Sequence, residues 1–207
     1  MKYYHIMYVH TYNVSTFVIS ILKTHIMETQ TALKTTWAVD PTHSEVQFKV
    51  KHLVISTVTG FFRSFEGSVN TDNEDFDGAN VEFKLDVDSI DTNQKDRDNH
   101  LKSDDFFSAE KYPNLVFENG ILSKKGEGYE LAGDLTIKET TKKVLLKAEL
   151  GGIMVDPYGN TKAGFEINGK VNRKEFGLSW DAVTEAGGVV VGDEVKLHFN
   201  IQVAKQA

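Results

Sequence analysis

The 207-residue chain has no cysteine, which excludes disulfides, zinc thiolates and a thiol nucleophile. It has only three prolines, Pro41, Pro113 and Pro157, so few positions interrupt regular structure. No apolar run approaches the roughly 20 residues that a membrane-spanning helix needs. Val14–Leu22 is weakly apolar and falls far short. There is no basic stripe, and the formal net charge is -7, which argues against a nucleic-acid partner. An acidic surface usually means only solubility, and a negative skin would not draw the chain to an anionic membrane. Neither Gly-x-Gly-x-x-Gly nor Gly-x4-Gly-Lys-Ser/Thr opens a helix, so nucleotide binding has no support. A Gly-x-Ser-x-Gly nucleophile elbow is also missing.

What the chain does have is alternation. Val195, Leu197, Phe199, Ile201 and Val203 point one way, and Lys196, His198, Asn200 and Gln202 point the other. The pattern recurs at Val46, Phe48 and Val50, at Val81, Phe83, Leu85 and Val87, at Leu131, Leu135 and Ile137, and at Phe165, Ile167 and Val171. Side chains alternate across a strand with period two, so each segment is a ribbon with one apolar face and one wet face. Many such ribbons must wrap their apolar faces around one interior.

The first 26 residues differ from the rest. Met1–Ile26 carries only two formally charged side chains, Lys2 and Lys23, and is rich in Tyr, His and Thr. It has no small-x-small cleavage site after an apolar stretch, so it makes a poor secretion signal. Residues 1–33 are expected to be a leader, disordered or upstream of a true start at Met27, and residues 34–207 a single domain. The lack of a convincing export signal favours a cytoplasmic over a periplasmic address.

The spacing predicts a strand pair or one long bent strand over Trp37–Lys51, broken at Pro41. Further strands are expected over Gly60–Asn70, Ala79–Asp88, Asn114–Glu118, Tyr129–Lys138, Thr140–Leu150, Lys162–Asn172 and Asp193–Val203. Asn73–Gly78, with its Asp, Asn and Gly, reads as a turn, and so does Asp156–Asn160, with Pro157 at its second position. The one helical signal is Asp91–Ser103, where Asp91 or Thr92 can cap and Gln94 sits as in a capping box. About eight strands, one short helix and no βαβ spacing give an all-β antiparallel meander. Such a meander closes as a sandwich or a barrel. A closed eight-stranded barrel leaves no edges and can hold one small ligand.

Asp40-Pro41-Thr42-His43-Ser44-Glu45-Val46-Gln47-Phe48 resembles the opening motif of the YceI-like proteins. Val50-Lys51-His52, then Gly60-Phe61-Phe62 and Phe65-Glu66-Gly67, fit their next block. Ser89-Ile90-Asp91-Thr92, Arg97-Asp98-Asn99-His100-Leu101, Asp105-Phe106-Phe107 and Tyr112-Pro113 form the most specific run. Gly133-Asp134-Leu135-Thr136-Ile137 and Arg173-Lys174-Glu175-Phe176-Gly177-Leu178 extend the match, which covers roughly Thr36–Lys205. The resemblance implies an eight-stranded antiparallel lipocalin-like barrel that binds a long isoprenoid chain or a similar lipid in its interior. Several members form dimers, so a homodimer is an expectation.

Thirteen Phe residues supply large, rigid apolar walls. For any single ring, an ordinary packed core is the alternative reading. Taken as a set with the resemblance, the tunnel lining is assigned to Phe48, Val50, Phe62 and Phe65 in the first strands, and to Phe83 and Leu85 in the next. Leu101, Phe106 and Phe107 join from the helix and the segment after it. Phe117, Leu135, Phe165, Ile167, Phe176, Trp180, Leu197 and Phe199 complete it. His52, Arg97, His100 and Arg173 are the candidates for a mouth that meets a polar head group.

Each candidate has a plainer alternative. Arg97 and Asp98 can close a loop through charge-assisted hydrogen bonds. Asp96 and His100 are one helical turn apart and can pair as a base or as metal ligands. Arg173 can be a strand-edge ion pair. The Gly187–Gly188 loop can be a lid or a plain connection. His43, His52 and Ser44 read best as hydrogen-bonded structural groups.

The expectation is therefore a binding protein without catalytic residues, metal or cofactor, whose ligand is a long-chain lipid for storage, transport or stress protection. Two rival readings remain: an enzyme acting on a lipid-like substrate, and a structural module with a filled barrel.

Overall fold

The computed structural model describes residues 34–182 and 190–207. The expected leader over 1–33 and the Gly187–Gly188 connection lie outside the described residues.

Eleven strand segments form one antiparallel sheet. They are β1 (Thr35–Val39), β2 (Glu45–His52), β3 (Ser56–Phe62), β4 (Phe65–Thr71), β5 (Ala79–Asp86), β6 (Ile90–Asp91), β7 (Asn114–Lys125), β8 (Gly128–Ile137), β9 (Thr140–Val155), β10 (Thr161–Asn172) and β11 (Val191–Lys205). β1 and β2 behave as one bent strand. Both pair with β11 on one side, through Val39↔Val203 and Glu45↔Asn200. On the other side β1 meets β4 and β2 meets β3, so β3 and β4 are likewise one strand bent at Arg63–Ser64. β6 is a two-residue bridge onto β3. What remains is a closed eight-stranded antiparallel barrel in meander order, sealed where β11 returns to β1 and β2. Closure removes the exposed edges an open sheet would present.

The seal has its own hardware. Pro41 cannot donate to a ladder, so the first strand must break there. Asp40 turns that break into a clasp. Its backbone N–H donates to Gln202 O at 2.8 Å, and its carboxylate accepts from Lys162 Nζ at 2.7 Å and from Thr42 Oγ1 at 2.6 Å. Ser44 Oγ donates to Asp40 O at 2.7 Å and accepts from Gln202 N at 2.9 Å. His43 Nδ1 lies 3.0 Å from Asp40 Oδ2 and is exposed. The Asp40–Ser44 segment thus ties the first strand to the last, and its Ser and His have structural partners rather than a triad geometry.

One end of the barrel is packed shut. Phe76 is fully buried there, with ring centroids 5.1 Å from Trp37 and 5.0 Å from Phe165. Tyr129 donates its hydroxyl proton to Asp75 O over the same turn. The sequence reads Asn73–Gly78 as a turn and gives its phenylalanine no role. The backbone there is left-handed, with φ +59° at Phe76, and this aims the ring back into the barrel.

The helix, α1 (Lys95–Lys102), is shorter than the pattern predicts. Gln94 is the N-cap and accepts from Arg97 N, whereas Asp91 and Thr92 belong to the preceding bridge and turn. β7 and β9 run further than expected, to Lys125 and Val155, because the hairpins they form extend past the core-facing residues.

Candidate functional site

Among the described residues, three cavities follow one another along the interior. The deepest, about 100 Å³, is walled by residues including Phe83, Leu85, Phe117, Leu135, Phe165, Ile167, Leu197 and Phe199. A middle cavity of about 130 Å³ shares Leu85, Leu115, Leu135, Leu197 and Phe199 with it and adds Phe48, Val50, Phe62, Leu101, Phe106, Phe107 and Arg173. The third, about 170 Å³, lies at the mouth. It shares Phe48, Val50, Leu101 and Phe106 with the middle one and brings in Lys51, His52, Thr92, Arg97, His100 and Trp180. Among the described residues, the open surface of the two inner cavities is apolar, although Gln47 and Arg173 border the middle one, and polar atoms are first exposed at the mouth. Shared walls set the three side by side from mouth to floor, divided only by side chains such as Leu135 and Phe48.

The rings leave these cavities open because glycines let them lie against the wall. Phe48 on β2 sits opposite Gly60 on β3, and a Cβ at Gly60 would stand 2.3 Å from Phe48 Cζ. Phe83 lies over Gly67 of the neighbouring strand, with 2.5 Å to such a Cβ. Phe117 covers Gly133 at 2.3 Å, and Leu146 covers Gly169 at 2.2 Å. Each bulky side chain tilts sideways onto a neighbour that has no side chain, instead of reaching across the lumen. Any residue but glycine at these seats would force the ring inward, since close-packed interiors have no spare volume.

The mouth is built from the β2–β3 end, the start of β11, α1 and the Trp180 segment. Arg97 donates through Nε to Thr92 Oγ1 and through Nη2 to Thr92 O, both at 2.7 Å. Asp98 accepts from Thr92 N at 2.8 Å and from Thr92 Oγ1 at 2.5 Å. These bonds fix α1 over the opening. His100 Nε2 pairs with Asp105 Oδ2 at 2.8 Å, so the Asp96 pairing open in the sequence is not the one made. The His100 ring stands edge-on between Phe106 and Trp180, with centroids at 5.1 and 4.9 Å.

Arg173 is buried, not at an exposed rim. It donates to Gly192 O at 3.0 Å, Leu178 O at 2.5 Å, Trp180 O at 2.7 Å and Val191 O at 3.1 Å. Asp193 and Asp181 stand 3.5 and 3.8 Å from its Nη2. A buried guanidinium needs its donors filled. Here main-chain carbonyls fill them, and the result is a latch that holds Trp180 beside the start of β11. Its expected role at a head group is corrected to this one, although its side chain still borders the middle cavity.

Two residues assigned to the lining stand apart from the three cavities. Phe65 pairs with Leu85 across β4 and β5 and stacks on Phe83 at 5.7 Å and 22°, packed against the core without bordering any of the three cavities. Phe176 is buried in the short helical turn Arg173–Phe176 that ends β10, and it borders a groove on the outer flank of the barrel. The other assigned residues each face at least one cavity. Val69, Leu115, Leu146 and Val203 also line the cavities, and the alternation that marks their strands was the available signal.

The family model described as the YceI-like domain matches residues 37–203. A UPF0312 protein of Photorhabdus laumondii is 40% identical over 139 residues, 67% of this chain and 72% of that protein. One from Staphylococcus epidermidis is 36% identical over 164 residues, 79% and 94% of the two chains. Among solved structures, BcnA of Burkholderia cenocepacia matches with a TM-score of 0.68 at 22% identity, covering 79% of this chain and 98% of that one. A YCEI protein of Campylobacter jejuni matches at 0.62 and 31% identity, covering 76% and 90%. A polyisoprenoid-binding domain from Saccharophagus degradans matches at 0.59 and 13% identity over 82% and 98%, which is a likeness of fold.

Proposed function

Because this chain belongs to the YceI-like family, we propose that its barrel holds the tail of a long-chain isoprenoid or related lipid and shields it from water. The observation that carries this reading is the pair of adjoining apolar cavities inside the barrel, which share five wall residues. An empty cavity of about 100 Å³ costs on the order of 2–3 kcal/mol at roughly 24 cal/mol per Å³. Water does not relieve that cost where no polar partner faces it. An alkyl or prenyl chain does, and each buried methylene adds roughly 0.8 kcal/mol. The tail needs no polar anchor along its length. At the mouth, Arg97, His52 and His100 face the wider cavity beside Trp180, where a head group would lie.

This is a binding role. The polar side chains with named partners at the mouth, Arg97 and His100, use them to hold α1 and the rim in place. The name of the Saccharophagus degradans neighbour points the same way for the chemistry of the tail.

Leu135 belongs to the wall of both inner cavities, so Leu135→Trp should plug their junction. The test is solvent extraction of purified protein followed by mass spectrometry. Wild type should release a lipid, and Leu135→Trp, with its circular dichroism unchanged, should release at least about tenfold less. Equal lipid in the two proteins would remove Leu135 from the site. No lipid in either, and no uptake of added farnesol or palmitate by wild type, would sink the lipid-binding reading.

A further inference from the structure

We propose that the three-residue loop Leu53–Ile55, at the tunnel mouth, docks the protein on an anionic lipid bilayer. The loop joins β2 to β3, and His52 and Ser56 close the hairpin at its base. Val54 is 76% and Ile55 86% exposed, and Leu53 is also open to solvent. These are large apolar side chains at the tip of a tight turn, where polar residues and glycine are the rule. The backbone adds a second anomaly. Leu53 and Val54 both adopt left-handed conformations, with φ +49° and +64°. That region is disfavoured for any side chain and most of all for a β-branched one such as valine. Glycine or asparagine would relax the turn and make it polar, so an apolar tip held at a conformational cost points to a role for its side chains.

Charge selects the partner. The whole chain is acidic, at -7, yet the stretch that carries the loop, from Val46 to Phe62, contains Lys49 and Lys51 and no Asp or Glu, while Arg63 just beyond it is paired with Asp91 at 2.8 Å. The hairpin is thus a basic island with an apolar point. Basic flanks around exposed aliphatic side chains match a surface with anionic head groups over hydrocarbon. The overall negative charge, read from the sequence as no attraction to such a membrane, conceals this local reversal.

Position supplies the third argument. Lys51 and His52, at the base of the loop, line the mouth cavity, and Leu53 N donates to Val190 O on its rim at 2.9 Å. A bilayer that meets the tip therefore meets the opening. A second apolar hairpin, with Ile153, Met154, Val155 and Tyr158 exposed, sits at the other end of the strands. It borders none of the three cavities and has Asp156 within it. It is an internal control of similar greasiness and opposite placement.

The experiment is sedimentation of the full chain with vesicles, either pure phosphatidylcholine or phosphatidylcholine mixed with phosphatidylglycerol. Wild type should partition onto the mixed vesicles and lose that preference in high salt. Val54→Asp with Ile55→Asp should lower partitioning at least about tenfold. Lys49→Ala with Lys51→Ala should remove about fivefold per lysine, on the anionic vesicles only. Met154→Asp with Val155→Asp should partition like wild type. The proposal is overturned if the loop variant still sediments with vesicles, or if the distal variant is the one that fails. It is also overturned if light scattering shows that the loop holds two copies of the chain together and vesicles bind neither form. Lipid extracted from the same variants reports tunnel filling separately, so a dry barrel that still binds vesicles would count against the tail-binding reading and leave docking intact.

Discussion

The two ends of this barrel use the same materials to opposite effect. At the floor, Trp37, Phe76 and Phe165 meet with ring centroids about 5 Å apart and leave no opening. At the mouth, Phe106, Trp180 and His100 are just as close to one another, yet they border an open cavity. Aromatic content does not decide whether a barrel is solid or hollow. What differs is where each ring can lie. Phe76 enters from a loop, along the axis, and fills the lumen. Phe48 comes from the wall and folds back over Gly60. Polar bonds hold both ends, Arg97 to Thr92 and Arg173 to four carbonyls at the mouth and Tyr129 to Asp75 O over the floor, but only at the floor does a ring fill the lumen beneath them.

This contrast breaks most strongly at the floor. Phe76→Ala removes a fully buried ring and should destabilise the fold by about 3–5 kcal/mol, measured by urea denaturation. It should also open the far end, so that a solvent-accessible quencher reaches Trp37 fluorescence. An unchanged midpoint would mean that the floor ring is not structural.

The converse change closes the mouth side. Gly60→Ala places a methyl 2.3 Å from Phe48 Cζ and 2.9 Å from Thr92 Cγ2, so the ring must swing off the wall into the middle and mouth cavities. The expected cost is about 1–3 kcal/mol. Uptake of added palmitate should fall further than stability alone explains, as read by titration calorimetry on the folded variant. Full uptake would show that the glycine seat does not set the bore.

The smallest effect is expected at the clasp between the two ends. Lys162, and then Thr42, hold the Asp40 carboxyl far below the ordinary aspartate value of 3.8. A carboxylate with a depressed folded-state pKa stabilises the fold above its unfolded value, and loses that contribution as pH falls toward the folded one. Asp40→Asn should therefore cost about 1–2 kcal/mol at neutral pH. The gap to wild type should narrow below about pH 4. A gap that widens in acid would reverse the assignment.

The sequence made different parts of this picture legible to different degrees. Alternation in β2, β5, β8, β10 and β11 named the inward residues well, because the pleat alone determines which side a residue faces. It failed for Phe176, where a helical turn breaks the period of two, and for Phe65, which keeps its phase in β4 but stacks on Phe83 away from the cavities. It also missed Phe76, which looks like one apolar residue in a polar turn and becomes the floor only because its φ is positive. Arg173 was visible as a charge beside a strand end, but the carbonyls that bury it come from Leu178, Trp180, Val191 and Gly192, which no local pattern brings together.

By itself the sequence determined the ribbons, their antiparallel order, the break at Pro41 and the apolar character of whatever they enclose, since all of these follow from neighbours within a few residues. Only the tertiary structure decided that the enclosed space holds cavities and is not a solid plug. That outcome depends on register: Phe48 faces Gly60, and Gly67 faces Phe83, across a pair of strands. A one-residue slip would turn each ring to the other face. The same is true of the basic, apolar-tipped hairpin, whose residues are plain in the sequence and whose place beside the opening is fixed only when β11 returns to seal the barrel.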